Sequence, residues 1–265
     1  MQVRLLIIDP QVDFCDPQGA LSVAGGDQDM ERLARLVQRL ALKFDGIHVT
    51  LDSHHLVDIA HPIFWKDGSG NHPAPFTIIS AQEVEAGRWT TSQPEAYPRA
   101  AAYVQALANN GRYPLCIWPP HCLIGSPGHA VMPALFAALT EWEAHYNVVD
   151  YISKGSNIFT EHYSAIQADV PDPADPSTQI NTALIQTLMQ ADIIAVAGEA
   201  GSHCVANTVR DLADNFGDER LVPKIVLLQD AISPVTGFEA FESDFLQQMT
   251  TRGMKLSTTV DFLKD

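Results

Sequence analysis

Val3-Arg4-Leu5-Leu6-Ile7-Ile8-Asp9 opens the chain and decides how the rest is read. The run is apolar and lacks strict alternation. Such a segment suits a strand buried on both faces of a parallel sheet. It is short and ends on a carboxylate, unlike the apolar region of a signal peptide. Ile47–Leu51, Val148–Ile152, Ile193–Val196 and Ile225–Leu228 repeat the pattern. Amphipathic segments lie between them. Met30, Leu33, Val37 and Leu40 share one helical face, as do Val131, Leu135, Leu139 and Trp142. Val205, Val209, Leu212 and Phe216 share another. Strand–helix–strand repetition implies right-handed crossovers and an open α/β sheet with helices on both faces.

The chain has 265 residues, 46% apolar and 18% charged, with a net charge of −16. That length and apolar fraction fit a single globular domain over 1–265 and exclude a disordered chain. No apolar stretch approaches the roughly 20 residues that span a bilayer. The acidic balance argues against nucleic acid or an anionic membrane as partner, since both require basic surface. Cys15, Cys116, Cys122 and Cys204 form no CxxC pair. Reduced thiols in a cytoplasmic protein are therefore expected. From Pro62 to Pro120 the rhythm breaks. This stretch reads as an insertion with one helix near Ala100–Ala108 and no clear strand before Leu115–Ile117. Pro171–Pro176 is a Pro/Asp-rich loop.

Ionisable residues gather where strands end. Asp9 follows the first run, Asp52 the second, and Lys154 the third by two residues. Ile193–Val196 leads through Gly198 to Cys204, and Asp230 follows Ile225–Leu228. Carboxyl ends of parallel strands share one edge, where ligands bind. A lone Asp there is ordinary. Lysine and cysteine are not typical strand terminators, so the set is informative. Cys204 stands where an amphipathic helix begins, and the positive helix end favours thiolate. A nearby ammonium would add to this, and a carboxylate could take the proton, giving an activated nucleophile. The competing reading is a small buried cysteine packing a helix start.

Asp52-Ser53-His54-His55 forms a second constellation, with His61 further on and Trp118-Pro119-Pro120-His121-Cys122 in a distant loop. Residues two apart in an extended segment point the same way, so Asp52 and His54 can share a metal. His121 is preferred over Cys122 as third ligand, because the other donors are hard or borderline. His48, inside a strand, reads as a core residue. His129, His145 and His162 read as surface or capping residues. No GxGxxG, GxxxxGK[ST] or GxSxG is present, which argues against dinucleotide, P-loop and serine-hydrolase chemistry. Asp9 and Asp13 are four apart, a spacing unsuited to aspartyl phosphotransfer.

Five segments together resemble the isochorismatase-like cysteine hydrolases, and within them the nicotinamidases. They are Asp9-Pro-Gln11-Val-Asp13-Phe14 with Gly19, Asp52-x-His54 with His61-Pro-Ile-Phe64, and Trp118-Pro-Pro-His121-Cys122. Lys154-Gly155 with Tyr163-Ser164-Ala165, and Gly198-x-Ala200 with Cys204-Val205, complete the set. The resemblance implies a six-stranded parallel sheet and an Asp9–Lys154–Cys204 triad. It implies a divalent metal held by Asp52, His54 and His121, commonly zinc, with iron or manganese as alternatives. It implies a cis peptide before residue 201, and an oxyanion hole from N–H groups of Gly201 and Cys204. Phe14 and Trp118 would wall the substrate pocket. The implied reaction is hydrolysis of nicotinamide to nicotinate and ammonia through a thioester, with pyrazinamide also accepted. The partner is then a small amide, and a homo-oligomer is compatible.

The pattern departs from the family at four motif positions and at one neighbouring acid. Ser53 and His55 replace Trp and Pro in the metal motif, and Ser202-His203 replaces Asp-Tyr before the cysteine. Glu199 is an unusual acid close to the nucleophile. A metal-free relative acting on another small amide, or on a ureido or carbamoyl compound, is the alternative.

Overall fold

The computed structural model describes residues 1–264. In chain order, β1 (Val3–Ile8) leads into the single turn α1 (Val12–Cys15), then α2 (Gly26–Arg39) and β2 (Gly46–Asp52). Next come β3 (Trp65–Lys66), β4 (Ile78–Ile79), α3 (Ala81–Glu85), β5 (Thr90–Thr91), α4 (Tyr97–Asn110) and β6 (Leu115–Cys116). α5 (Pro133–Glu143), β7 (Asp150–Lys154), α6 (Thr182–Met189) and β8 (Ile193–Gly198) follow. α7 (Cys204–Asn215), β9 (Ile225–Leu228), α8 (Glu239–Thr251) and β10 (Lys255–Ser257) complete the chain.

The central sheet has six strands in the order β10-β9-β8-β1-β2-β7. Every pairing in it is parallel, with helices on both faces. From β1 the chain builds outward through β2 to β7, then crosses to β8 on the other side of β1. Strand order thus reverses at β1/β8, and such a switch opens a crevice beyond the carboxyl ends. β1 is central because Leu5, Leu6, Ile7 and Ile8 are fully buried on both faces. The β2–β7 register pairs Asp52 with Lys154, so the sheet itself sets carboxylate beside ammonium. α2 packs on α5, burying Met30, Leu33 and Val37.

Several boundaries differ from the sequence reading. The third strand is displaced to Asp150–Lys154, because Val148 is exposed at the sheet edge. Val131 precedes α5 and bridges to Gln11. The insertion carries more than one helix: β3 pairs with β5 and β4 with β6, both antiparallel. These small ribbons bring Trp118 and His121 over the sheet edge. All four cysteines are buried and unpaired. Among the described residues, no helix is long and apolar enough to cross a membrane.

Gly198 ends β8 at φ +117°, and a Cβ there would meet the Ile8 carbonyl oxygen. Only glycine fits this approach of β8 to β1. Gly198→Ala combines a disfavoured φ with a backbone clash, so a loss of about 3 kcal/mol or more is expected in chemical denaturation. An unchanged midpoint and slope would contradict the packing described.

Candidate active site

Asp9 leaves β1 at φ +43°, an uncommon conformation for a non-glycine residue. Thr50 of β2 holds it there. Its Oγ1 accepts the Asp9 N–H at 3.0 Å and donates to Asp9 Oδ1 at 2.5 Å. Asp9 Oδ2 is thereby turned toward Lys154 Nζ, 2.9 Å away. The same ammonium lies 3.1 Å from Asp52 Oδ1, 2.9 Å from the His162 carbonyl oxygen and 3.6 Å from Cys204 Sγ. Lys154, Asp9, Asp52 and Cys204 are all buried. Cys204 is the first residue of α7, as expected.

Burial sets the protonation states. It raises the Asp9 carboxyl above its ordinary range, against the opposing pull of Lys154. It also pushes the Cys204 thiol well up, and the Lys154 charge only partly offsets this. Cys204 therefore rests as a thiol, where the helix start and lysine alone suggested thiolate. Burial works against the Lys154 charge, but Asp52 and Asp9 hold it well above the usual lysine range.

The backbone donors differ from expectation. The cis peptide is Glu199–Ala200, so it precedes residue 200 and not 201. The Gly201 N–H donates to the Ser233 carbonyl at 2.8 Å and is not free for a substrate. The Ala200 and Cys204 N–H groups donate to no protein group among the described residues.

The metal-type residues converge beside this set. Donor atoms of Asp52, His54 and His121 lie within 4.8 Å of one another. His121 Nδ1 is 2.8 Å from the Pro119 carbonyl oxygen. A carbonyl only accepts, so Nδ1 carries the proton and Nε2 presents its lone pair. His54 Nδ1 is 3.1 Å from Asp58 Oδ2, the outer carboxylate that commonly orients a ligating histidine. Burial disfavours a charged His54 ring, yet Asp52 and Asp58 hold its pKa well above the usual histidine value. The field that would keep a proton there also suits a cation. His61 Nδ1 is held by the Leu56 carbonyl at 3.2 Å, while its buried Nε2 has no partner. Burial lowers the His61 pKa to about 4, so the ring is neutral and free to donate a lone pair. One carboxylate, two imidazoles and this orphaned third suit a borderline divalent cation such as zinc. His55 is exposed, and the Cys122 N–H is tied to Asp13 Oδ2 at 2.7 Å.

Phe14 and Trp118 line the cavity over Cys204, together with Glu161, Tyr163 and His203. The cavity measures about 20 Å³, roughly room for one water. A roomier apolar groove of about 370 Å³ at Val57, Ile63, Phe64 and Phe159 holds no cysteine, lysine or histidine. The chemistry belongs to the smaller space. Burial lowers His203 to about 3, leaving a neutral ring 5.2 Å from Trp118. Glu161, against the pull of His54, is raised by burial to about 8. Thr50, Asp58 and Glu161 carry no signal in the local pattern beyond Asp58 standing four residues after His54, whereas Tyr163 belongs to the segment that follows Lys154-Gly155.

Other expectations sort clearly. His48 is a satisfied core residue, 2.8 Å from Asp150. His162 is buried, not a surface residue, and burial lowers its pKa to about 3. Asp230 accepts from Thr259 and lies outside the site. Ser53 Oγ donates to the Leu51 carbonyl, and Ser202 Oγ accepts the Val235 N–H. Of the four altered motif positions, only His203 faces the cavity.

No protein-family profile matches the chain, and no curated protein matches it by sequence. Solved structures do match. Yeast nicotinamidase Pnc1p, bound to the inhibitor nicotinaldehyde, aligns with TM-score 0.68 at 18% identity, covering 97% of this chain and 100% of that one. An Acinetobacter baumanii nicotinamidase–pyrazinamidase aligns with TM-score 0.65 at 21% identity over 99% and 98%. The Pyrococcus horikoshii pyrazinamidase, in complex with zinc, gives 0.56 at 20% over 97% and 99%. The chain thus has the α/β fold of the nicotinamidases over almost its whole length.

Two measurements follow from the geometry. Iodoacetamide alkylation of Cys204 should rise only at a pH above that of free cysteine, and Lys154→Met should move the curve higher still, since a cation favouring thiolate is lost. An unchanged curve would separate Lys154 from the thiol. His121→Ala should lower bound metal, Asp58→Asn should weaken metal affinity by about 10–100-fold, and Cys204→Ala should leave it unchanged. Full occupancy in His121→Ala would place the ligands elsewhere.

Proposed function

We propose that this protein is a single-domain cysteine amidohydrolase that converts nicotinamide to nicotinate and ammonia. One observation carries the reading: the Lys154 ammonium lies beside Asp9, Asp52 and Cys204 at once, and Cys204 and Asp52 line one cavity with His121. The shared fold supports it, and the four unpaired thiols support a cytoplasmic setting.

Asp9, made more basic by burial, takes the Cys204 proton. The thiolate attacks the amide carbon while Lys154 balances its charge. The developing oxyanion is held by the N–H groups of Ala200 and Cys204, neither of which donates to a protein group among the described residues. One such preorganised donor contributes about 3–4 kcal/mol. Asp9 then gives its proton to the departing ammonia, leaving a thioester on Cys204. Asp9 next accepts a proton from water as the hydroxyl attacks the thioester carbon, and the thiol is restored as nicotinate leaves. A divalent metal held by Asp52, His54 and His121 would supply a Lewis-acid position able to take a ring nitrogen. Phe14, Trp118 and His203 provide flat walls for an aromatic ring and exclude water.

A second reading, a different small amide, rests on Glu161, a carboxyl that lines the cavity and could meet a polar substituent. Comparison of kcat/KM for nicotinamide and benzamide separates the two. Benzamide lacks only the ring nitrogen. A site built for that contact should prefer nicotinamide by about 10⁴-fold. A ratio near one would remove the ring-nitrogen role and turn the assignment to another amide. Cys204→Ala should abolish turnover of either while leaving the thermal midpoint nearly unchanged.

A further inference from the structure

The unusual acid beside the nucleophile, Glu199, plays no part in the steps above. It is fully buried behind the loop that joins β8 to α7. Its Oε2 accepts the Ser233 N–H at 3.1 Å, whereas its Oε1 receives no donor. An ionised carboxylate left in that condition would be costly. Asp29 of α2 adjoins this carboxyl through Ser233, whose N–H donates to Glu199 Oε2 and whose Oγ donates to Asp29 Oδ2. Asp29 has the donors that Glu199 lacks: Arg32 Nη2 at 2.5 Å on Oδ1 and Ser233 Oγ at 2.6 Å on Oδ2. Two adjoining carboxyls with one set of donors fall naturally into one carboxylate, Asp29, and one neutral acid, Glu199.

We propose that Glu199 is a neutral acid whose proton is shared with Asp29, and that this link is a positioning device for the loop carrying Cys204 and its free N–H groups. Three elements meet there. α2 supplies Asp29 and Arg32, the segment after β9 supplies Ser233, and the nucleophile loop supplies Glu199. The same segment already grips the loop through Gly198 N–H to Ala231, Gly201 N–H to Ser233 and Val235 N–H to Ser202 Oγ. Arg32 also donates to the Asp230 carbonyl, which ties α2 to that segment. The remaining groups facing Glu199 favour its neutral form. Cys15 of α1 is itself held as a thiol, chiefly by burial. Glu242 of α8, whose Oε2 sits over Gly201, is raised by burial to about 7. Burial, then Asp29, raise Glu199 well above the ordinary carboxyl range.

The sign of the pH effect follows. A carboxyl raised in the folded state favours folding least once the unfolded chain has ionised, so stability falls as pH rises from its unfolded value toward its folded one. Glu199→Gln is always neutral and escapes that fall. Above pH 5 its thermal midpoint should exceed the wild type's by a gap that widens, by up to about 3 °C per pH unit, until the folded carboxyl ionises. Parallel curves would overturn the neutral acid. Amide hydrogen exchange of the peptide covering 198–205 tests the link: Glu199→Ala should exchange about tenfold faster or more, with Glu199→Gln near wild type. Glu199→Asp, one methylene shorter, should also exchange faster and serves if the alanine variant does not fold. Wild-type exchange in the shortened variants would overturn the link.

A kinetic arm rests on the amidohydrolase reading. The shortened variants should lose about tenfold or more in kcat with KM little changed, and Glu199→Gln should restore most of it. Equal kcat in all variants would overturn the positioning role. Should the wild type hydrolyse no amide, that reading fails, while the thermal and exchange arms still decide the proposal.

Discussion

A buried ammonium is the constraint on which the site depends. Lys154 could not remain charged in the interior without its neighbours, because an isolated buried charge costs several kcal/mol. Asp9 and Asp52 supply the compensation, at 2.9 Å and 3.1 Å. Neither carboxylate is spare. Asp9 faces the thiol, and Asp52 turns its second oxygen to His54, 3.0 Å away. Burial opposes the Asp52 charge, yet His54 and Lys154 hold it well below the usual carboxylate range. One residue therefore couples the nucleophile to the metal-type cluster. Any change in charge at the histidines is felt by the lysine through a single carboxylate.

The scaffold around this ion cluster is built to resist rearrangement. Gln11 clamps the Asp52 backbone from both sides, donating to its carbonyl at 2.8 Å and accepting its N–H at 2.7 Å. Asp13 performs the same service for the loop that holds His121, through the Cys122 N–H. The two carboxylates of the opening motif thus have separate duties, one chemical and one architectural. The φ of +43° at Asp9 stores modest strain of the kind that persists where surroundings overdetermine it. Thr50 provides that determination.

What was readable in the sequence follows the nature of each signal. Strands β1, β8 and β9 are buried on both faces, so composition alone reveals them. β10 is a short edge strand of Lys, Leu and Ser with two exposed residues, and its local pattern carries no mark. Val148 misled for the opposite reason, being apolar yet 81% exposed. Side chains with specific chemistry, such as Asp9, Lys154, Cys204 and His121, are visible because their residue types are unusual at strand ends. Thr50 hides inside an apolar strand, where a hydroxyl reads as β propensity. Backbone donors leave no trace in residue type, so the exchange of Gly201 for Ala200 as a free N–H emerges only from the fold. The altered residues Ser53 and Ser202 stand next to site residues in the sequence. In space both turn into the scaffold.

The central claim is that Cys204 becomes acylated by the amide. Mixing the protein with nicotinamide, quenching in acid on a millisecond-to-second timescale and weighing the intact chain tests it directly. A mass gain of one nicotinoyl group, mapped by peptide analysis to Cys204 and absent in Cys204→Ser or Cys204→Ala, is the predicted result. Nicotinate formed in the burst with no adduct on Cys204, or an adduct on another residue, would contradict it.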